Sequence, residues 1–585
     1  MKSLGFVCMM IVVLCMSQML PITVMAEDSS TTISDVGSKI EQYALEHADT
    51  TAGMSVAVFD ETETIYRNHF GYMDVKNKLP VTEDTVMEWG SVSKLLVWIS
   101  VMQLAEQGKI ELEADVRNYL PEGFLRNLKY DAPVTMLHLM NHNAGFEESV
   151  IGMATDKEDR ILPLEEYLMT IQPRQFFEPG TVCAYSNWGT TLAAYIVERV
   201  SGVPYHDYVR THIFEPLDMN DASICPDMRD HEDVKNRRMA LKVYTRDVKE
   251  ITPNMTYIVM YPAGACISTI EDMQKFAQSL LSEDTVLFSE KATYHKLFSP
   301  SLYYEGTDIP RNYHGFWNLG TNYGTDLIGH GGNTAGCSSY LMLDMNNKVG
   351  MVIQTNQSSE KSYNIEMPAI LFGKYEGTAS DYEGLTMSAR TIFHGPLKIY
   401  QLMSVSSAKP SEPVEAYDVR TDENKIDKIS AVYGDVLVIG IKDILADIIV
   451  IGLYILTLVF CIVNMIRYAV KGLYNKIRGK HEKKGFGLWY ITGTLFPLFP
   501  IIVFSFIVPT LFNYQQWCIS GYRIALFLIF LSALLMSALV VYGFVKQKRI
   551  AVKKVQKIEF YFVNVCMTVT IANIIYWNWG MFWLI

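Results

Sequence analysis

The spacing of hydrophobic positions changes several times along the chain, and each change predicts an element. Apolar residues in 33–47 fall at helical spacing, and 53–59 and 64–70 then alternate on either side of Asp60-Glu61 like paired strands. The next apolar stretch predicts a helix over 91–107 that stops at Gly108. Residues 338–343 and 349–355 flank Asn346-Asn347, the pattern of a hairpin. Strands at both ends with helices between them predict a mixed α/β fold, an antiparallel sheet flanked by helices and closed by the two ends of the segment. Residues 377–440, with Lys409-Pro410-Ser411-Glu412-Pro413, read as a linker.

The longer apolar runs predict export and membrane insertion. Lys2, an apolar run over 4–20, Pro21 and then Val24-Met25-Ala26 make a signal peptide of residues 1–26. After Gly440, runs at about 448–466, 487–512, 524–545 and 558–577 are each long enough to cross a hydrocarbon core of ~30 Å. Arg467, Lys471, Lys476, Arg478, Lys480, Lys483 and Lys484 separate the first two, and Lys546, Lys548, Arg549, Lys553, Lys554 and Lys557 separate the last two. The middle loop holds only Arg523. Basic loops stay cytoplasmic, so this asymmetry places the segment before Gly440 outside a plasma membrane that the chain crosses several times. Ionisable residues are nearly absent from the spans, which favours an anchor in the lipid bilayer over a transporter. The expected organisation is a signal peptide, an extracytoplasmic domain over 27–376, a linker over 377–440 and an all-α membrane domain over 441–585.

Composition narrows the partners. With 585 residues, 49% apolar and 19% charged, the chain has room for more than one domain and is too apolar to be disordered. A net charge of −13 gives no basic footprint, so no nucleic-acid partner is expected. Cys183, Cys225, Cys266 and Cys337 lie in the outer segment, where spacing leaves them paired or free. The histidines form neither an HExxH motif nor a Cys/His cluster, so neither a metal nor a cofactor is expected.

Three short motifs carry chemistry. Ser91 and Lys94, in Gly90-Ser91-Val92-Ser93-Lys94, stand three apart at a helix start and so share one face. This is an S-x-x-K pattern, in which the lysine serves as base or proton relay for a weak hydroxyl nucleophile. The pattern alone is common by chance. Tyr185-Ser186-Asn187 adds a second proton carrier in Tyr185 and an amide, Asn187, to orient Lys94 or bind a substrate amide. His330-Gly331-Gly332-Asn333 adds glycines that let a substrate lie along a strand edge.

In order and spacing, these motifs make the segment over about 34–372 resemble the penicillin-recognising serine hydrolases of the class C β-lactamase, D-aminopeptidase and esterase group. Leu137-His138-Leu139-Met140-Asn141-His142-Asn143-Ala144-Gly145 is similar to the family's HLLTHTSG stretch, and 213–219 and 263–269 also match its habits. The resemblance implies a serine β-lactamase/penicillin-binding-protein-like α/β fold and a bacterial origin. It also implies an acyl-Ser91 enzyme, proton transfer by Lys94 and Tyr185, and an oxyanion hole from the backbone N–H groups of Ser91 and Asn333. Asn187, His330, Gly331 and Gly332 are then substrate-binding, and Glu88, one turn before Ser91, is a candidate to meet a substrate amine.

Departures from the family pattern shape the function. His330 replaces the lysine with which many β-lactamases hold a substrate carboxylate, and Met169 stands where a class A deacylation motif has asparagine. The sequence therefore reads as a membrane-anchored peptidase on D-amino-acid-containing peptides, either wall peptide or peptide prodrug. An esterase on an ester substrate, or a penicillin-binding sensor without turnover, stays open. The inner loops are too short for a sensor's output domain.

Overall fold

The computed structural model describes residues 35–148, 152–374, 380, 382–390, 405–406, 416–420, 425–479, 487–512, 519–547 and 554–582. The signal-peptide stretch and the Pro410–Pro413 motif lie outside them.

Nine antiparallel strands form the main sheet. In chain order they are β1 (Gly53–Asp60), β2 (Thr64–Asp74), β3 (Leu79–Pro80), β4 (Leu302–Tyr303), β5 (Pro310–Tyr313), β6 (Phe316–Asn318), β7 (Ile328–Asn333), β8 (Ser338–Asp344) and β9 (Val349–Thr355). Their spatial order is β3-β2-β1-β9-β8-β7-β6-β5-β4. The predicted closure is present: β1 pairs with β9, with Val56 opposite Ile353. The 338–355 hairpin also forms, its turn tied by Asn346 and Asn347 N–H groups donating to Asp344 Oδ1 at 3.0 and 2.8 Å.

Strand β1 is buried along nearly its whole length, because helices cover both of its faces. Met54, Val56 and Val58 pack with Val36 and Ile40 of α1 (Val36–Glu46), while Ala57 and Phe59 join the main core. That core centres on α2 (Lys94–Glu106), whose residues from Lys94 to Leu104 are all buried. A helix apolar all round belongs inside a domain. It stops as expected at Gly108, whose φ of +68° suits glycine. Its start differs from the expectation: a 3-10 turn, Gly90–Ser93, precedes the regular helix and carries Ser91.

Residues 377–440 are more than a linker. They contain a five-stranded antiparallel sheet of β10 (Leu385–Ser388), β11 (Val405–Ser406), β12 (Ala416–Arg420), β13 (Ile426–Ala431) and β14 (Gly434–Ile439). Val432-Tyr433 turns between β13 and β14, and Arg311 anchors the turn. Its Nη1 lies 2.7 Å from Asp435 Oδ1, with both side chains almost fully buried.

Strand β14 runs through Gly440 straight into a helix, Ile441–Ile477, the first of four apolar helices of membrane-crossing length. The others are Trp489–Ile507, Gly521–Lys546 and Lys557–Tyr576. Pro497 breaks the second with a 3-10 turn at Phe496–Leu498, where Tyr454 Oη donates to the Pro497 carbonyl at 3.0 Å. Leu453, Leu456, Val459 and Val463 of the first helix are exposed, as lipid-facing residues are.

Candidate active site

Two glycines bring β7 onto the Ser91 turn. A Cβ on Gly332 would lie 2.0 Å from the Trp89 carbonyl oxygen and 3.0 Å from Ser91 N, and one on Gly90 would lie 2.5 Å from Asn333 N. Gly90 also has φ of +53°. Backbone therefore meets backbone here, with the amides of Ser91 and Asn333 in adjoining segments. We expect Gly332→Ala to force β7 off the turn and lower kcat/KM about 100-fold, the scale of a lost oxyanion donor. Steady-state kinetics beside a thermal melt separates this from global unfolding.

Lys94 is fully buried, with Nζ 3.0 Å from Ser91 Oγ and 2.6 Å from the Ala263 carbonyl oxygen. Burial pushes its pKa well below the ordinary lysine value; Glu148 opposes the fall and Arg390 adds to it. A neutral amine beside a hydroxyl is a proton acceptor in position. Among the described residues, the hydrogen bonds of Lys94 run to Ser91 and Ala263, so the expected orienting bond from Asn187 is not formed.

Tyr185 lies across from this pair, its ring centroid 4.9 Å from Lys94 Nζ. Burial pushes its hydroxyl pKa up, while nearby Ser91 and Arg390 pull it down. The hydroxyl is buried and makes no hydrogen bond within the described residues. His142 stacks on the Tyr185 ring at 4.3 Å and on Trp317 at 5.6 Å. It accepts the Ser186 N–H at Nδ1, 3.1 Å away. Asn187 opens the helix Asn187–Ser201, which Ser186 caps by accepting the Gly189 N–H, and its own N–H donates to Glu148 Oε2.

His330 is buried, its Nδ1 2.6 Å from the Gly331 carbonyl oxygen. Burial, with neighbouring Lys94 pushing the same way, holds its pKa down to about 3, so it presents a neutral ring to the cavity. His142 is lowered in the same direction. Histidine in the unfolded chain titrates near its ordinary 6.5. The unfolded state thus binds more protons between pH 6.5 and about 3, and stability present above that window is lost as pH falls through it. Melting temperature in detergent is expected to drop across this window, and His330→Asn to flatten part of the drop.

Glu88 requires a correction. It lies on the cavity wall, but its carboxylate accepts Nε and Nη2 of buried Arg238 at 2.9 and 2.6 Å. An ion pair already fills the place expected to receive a substrate amine. The Asn333 side chain points away, its Oδ1 accepting from Ser338 Oγ and Ser359 N.

The cavity over Ser91 has a volume of about 1050 Å³, and Tyr185, Asn187, His330, Gly331 and Asn333 also line it. The second sheet and its turn supply part of the wall, among them Tyr433, whose Oη accepts the Gly331 N–H at 3.3 Å, and Arg390. Neither was legible in the sequence, since both lie in the stretch read as linker. The four outer cysteines are free and buried, and among the described residues no group of acidic, cysteine and histidine side chains could hold a metal.

The sequence profile of the Beta-lactamase family matches residues 41–372, more than half of the chain. The chain belongs to the Beta-lactamase family. Members of this family are serine hydrolases, among them carboxypeptidases, amidases and esterases. Penicillin-binding protein 4* of Bacillus subtilis (strain 168) is 25% identical over 317 residues, 52% of this chain and 67% of that protein. D-alanyl-D-alanine-carboxypeptidase/endopeptidase AmpH of Escherichia coli (strain K12) is 25% identical over 259 residues, 43% of this chain and 64% of that protein. The chain thus spans about two thirds of the length of these relatives. The octameric penicillin-binding protein homologue from Pyrococcus abyssi is 23% identical with a TM-score of 0.49, covering 62% of this chain and 84% of that one. The family match ends near Phe372, so the second sheet and the apolar helices lie beyond it.

Proposed function

We propose that the chain is a membrane-anchored, extracytoplasmic serine hydrolase that works through an acyl-Ser91 intermediate on peptides containing D-amino acids. The observation that carries this reading is Lys94 Nζ, buried and 3.0 Å from Ser91 Oγ. Lys94 takes the hydroxyl proton as Oγ bonds to the substrate carbonyl carbon. The backbone N–H groups of Ser91 and Asn333 hold the oxyanion. Lys94 returns that proton through the Tyr185 hydroxyl to the leaving nitrogen as the C–N bond breaks, and in an esterase the alcohol oxygen of a leaving ester would take the nitrogen's place. Water then attacks the acyl-enzyme, releasing the acid and returning the proton to Ser91. Because Lys94 acts as a neutral amine, kcat/KM is expected to fall on acidification with a limb well below pH 10.5, the ordinary lysine value, and a pH–rate profile reads it directly.

AmpH is named for D-alanyl-D-alanine cleavage, which supports a D-amino-acid substrate here. The basic loops of the apolar helices support an outer catalytic domain. Full-length chain in detergent, assayed on N-acyl-D-Ala-D-Ala, its D-Ala-L-Ala isomer and the matching ester, tests the proposal. Turnover of the D,D-amide about 100-fold above the isomer is expected. Cleavage of the ester alone gives the esterase reading, and a lasting penicillin adduct without turnover gives the sensor.

A further inference from the structure

The cavity holds a cation that the mechanism above does not use. Arg390 stands two residues past β10, on the cavity wall, with its guanidinium carbon 5.0 Å from the Tyr185 ring centroid. Its Nη2 is 3.9 Å from Glu148 Oε2. Charge-assisted hydrogen bonds are about 2.7–2.9 Å long, so this contact is a loose ion pair rather than a bond. Glu148 meanwhile accepts the Asn187 N–H. Among the described residues the Nε–H of Arg390 is buried without a hydrogen-bond partner, yet the side chain as a whole is 37% exposed. A guanidinium offers five donors in a planar fork, and one loose contact leaves most of that fork open.

The other cationic side chains on the cavity wall and at the reacting centre are committed, Lys361 among them. Arg238 forms two hydrogen bonds to Glu88, and Lys94 is buried against Ser91 and Ala263. Arg390 is therefore the group placed to receive an anion beside Tyr185, and a carboxylate is the anion whose two oxygens match the fork. The position suits one carboxylate in particular. In a peptide's last residue, the scissile nitrogen and the carboxylate carbon are two bonds, about 2.5 Å, apart. A leaving nitrogen at the Tyr185 hydroxyl thus carries its carboxylate into the region that Arg390 borders.

We propose that Arg390 binds the C-terminal carboxylate of the leaving residue, which makes the chain a carboxypeptidase in preference to an aminopeptidase or endopeptidase. This rests on the hydrolase reading above and adds a specificity-determining residue to it. Arg390 reaches the cavity from the second sheet, outside the stretch matched to the family.

Binding tests it without catalysis. The full-length Ser91→Ala chain in detergent is titrated calorimetrically with N-acetyl-D-Ala-D-Ala and with its C-terminal amide. The acid is expected to bind about tenfold or more tighter than the amide. Adding Arg390→Gln is expected to remove that preference with amide binding retained, and Arg390→Lys to restore part of it. Equal affinity for acid and amide, a preference that survives Arg390→Gln, or no binding of either ligand overturns the proposal. Loss of both ligands in Arg390→Gln and in Arg390→Lys also overturns it, because the residue would then be structural. Failure of the hydrolase reading is seen separately, as wild-type chain that binds the acid but does not cleave it.

Discussion

Ser91→Ala is expected to lower kcat/KM on the best substrate by about 10,000-fold or more, the loss seen when a covalent nucleophile is removed from a group of residues that work as a unit. What remains would come from binding and from the backbone donors around β7. The melting temperature should move by no more than about 2 °C, because one half-buried hydroxyl is lost and no packed carbon. Lys94 keeps its bond to the Ala263 carbonyl in the variant, so the helix start is not expected to shift. An unchanged rate would move the nucleophile elsewhere in the cavity and undo the assignment of Lys94 as its base.

The second large effect is expected at Asp435. Its carboxylate joins the second sheet to the catalytic core: it meets Arg311 at 2.7 Å, accepts the Cys183 N–H at 3.0 Å and accepts from Ser430 Oγ at 3.0 Å. The Asp435 N–H in turn donates to the Cys183 carbonyl at 2.8 Å, two residues before Tyr185. Removing one partner of a buried ion pair leaves a buried, unmatched charge and costs about 3–5 kcal/mol. Asp435→Ala should therefore release the Tyr433 turn from the cavity and free the Tyr185 segment together. The expected result is a lower melting temperature and a kcat loss of about 100-fold on the full-length chain, the cost of a misplaced reacting group. Normal kinetics in Asp435→Ala would mean that the second sheet is only a tether.

Local patterns made part of this molecule legible. Ser91 and Lys94 share a face because they are three apart at the start of one helix, and a close pair in sequence is a close pair in space. The strands around Asp60 and Asn346 were legible for the same reason, since each turn lies between its own strands. Long-range partners were not. Glu88 looked available until Arg238, 150 residues away, proved to hold it. The roles of Gly90 and Gly332 depend on each other's backbone, which no spacing along the chain records. The second sheet was missed because its prolines and charges resemble a spacer, and because 426–431 and 434–439, which flank the Val432-Tyr433 turn, lack a clean apolar/polar alternation. Tyr433 and Arg390 were missed with it.

Covalent labelling tests the central claim most directly. Full-length chain and its Ser91→Ala variant are incubated in detergent with a fluorophosphonate, which bonds only to an activated hydroxyl, and their intact masses are measured. One adduct per chain is predicted on the wild type, mapping by peptide mass to Ser91, and none on the variant. An adduct that persists on Ser91→Ala, or a wild type that stays unlabelled, would contradict Ser91 as a nucleophile activated by Lys94.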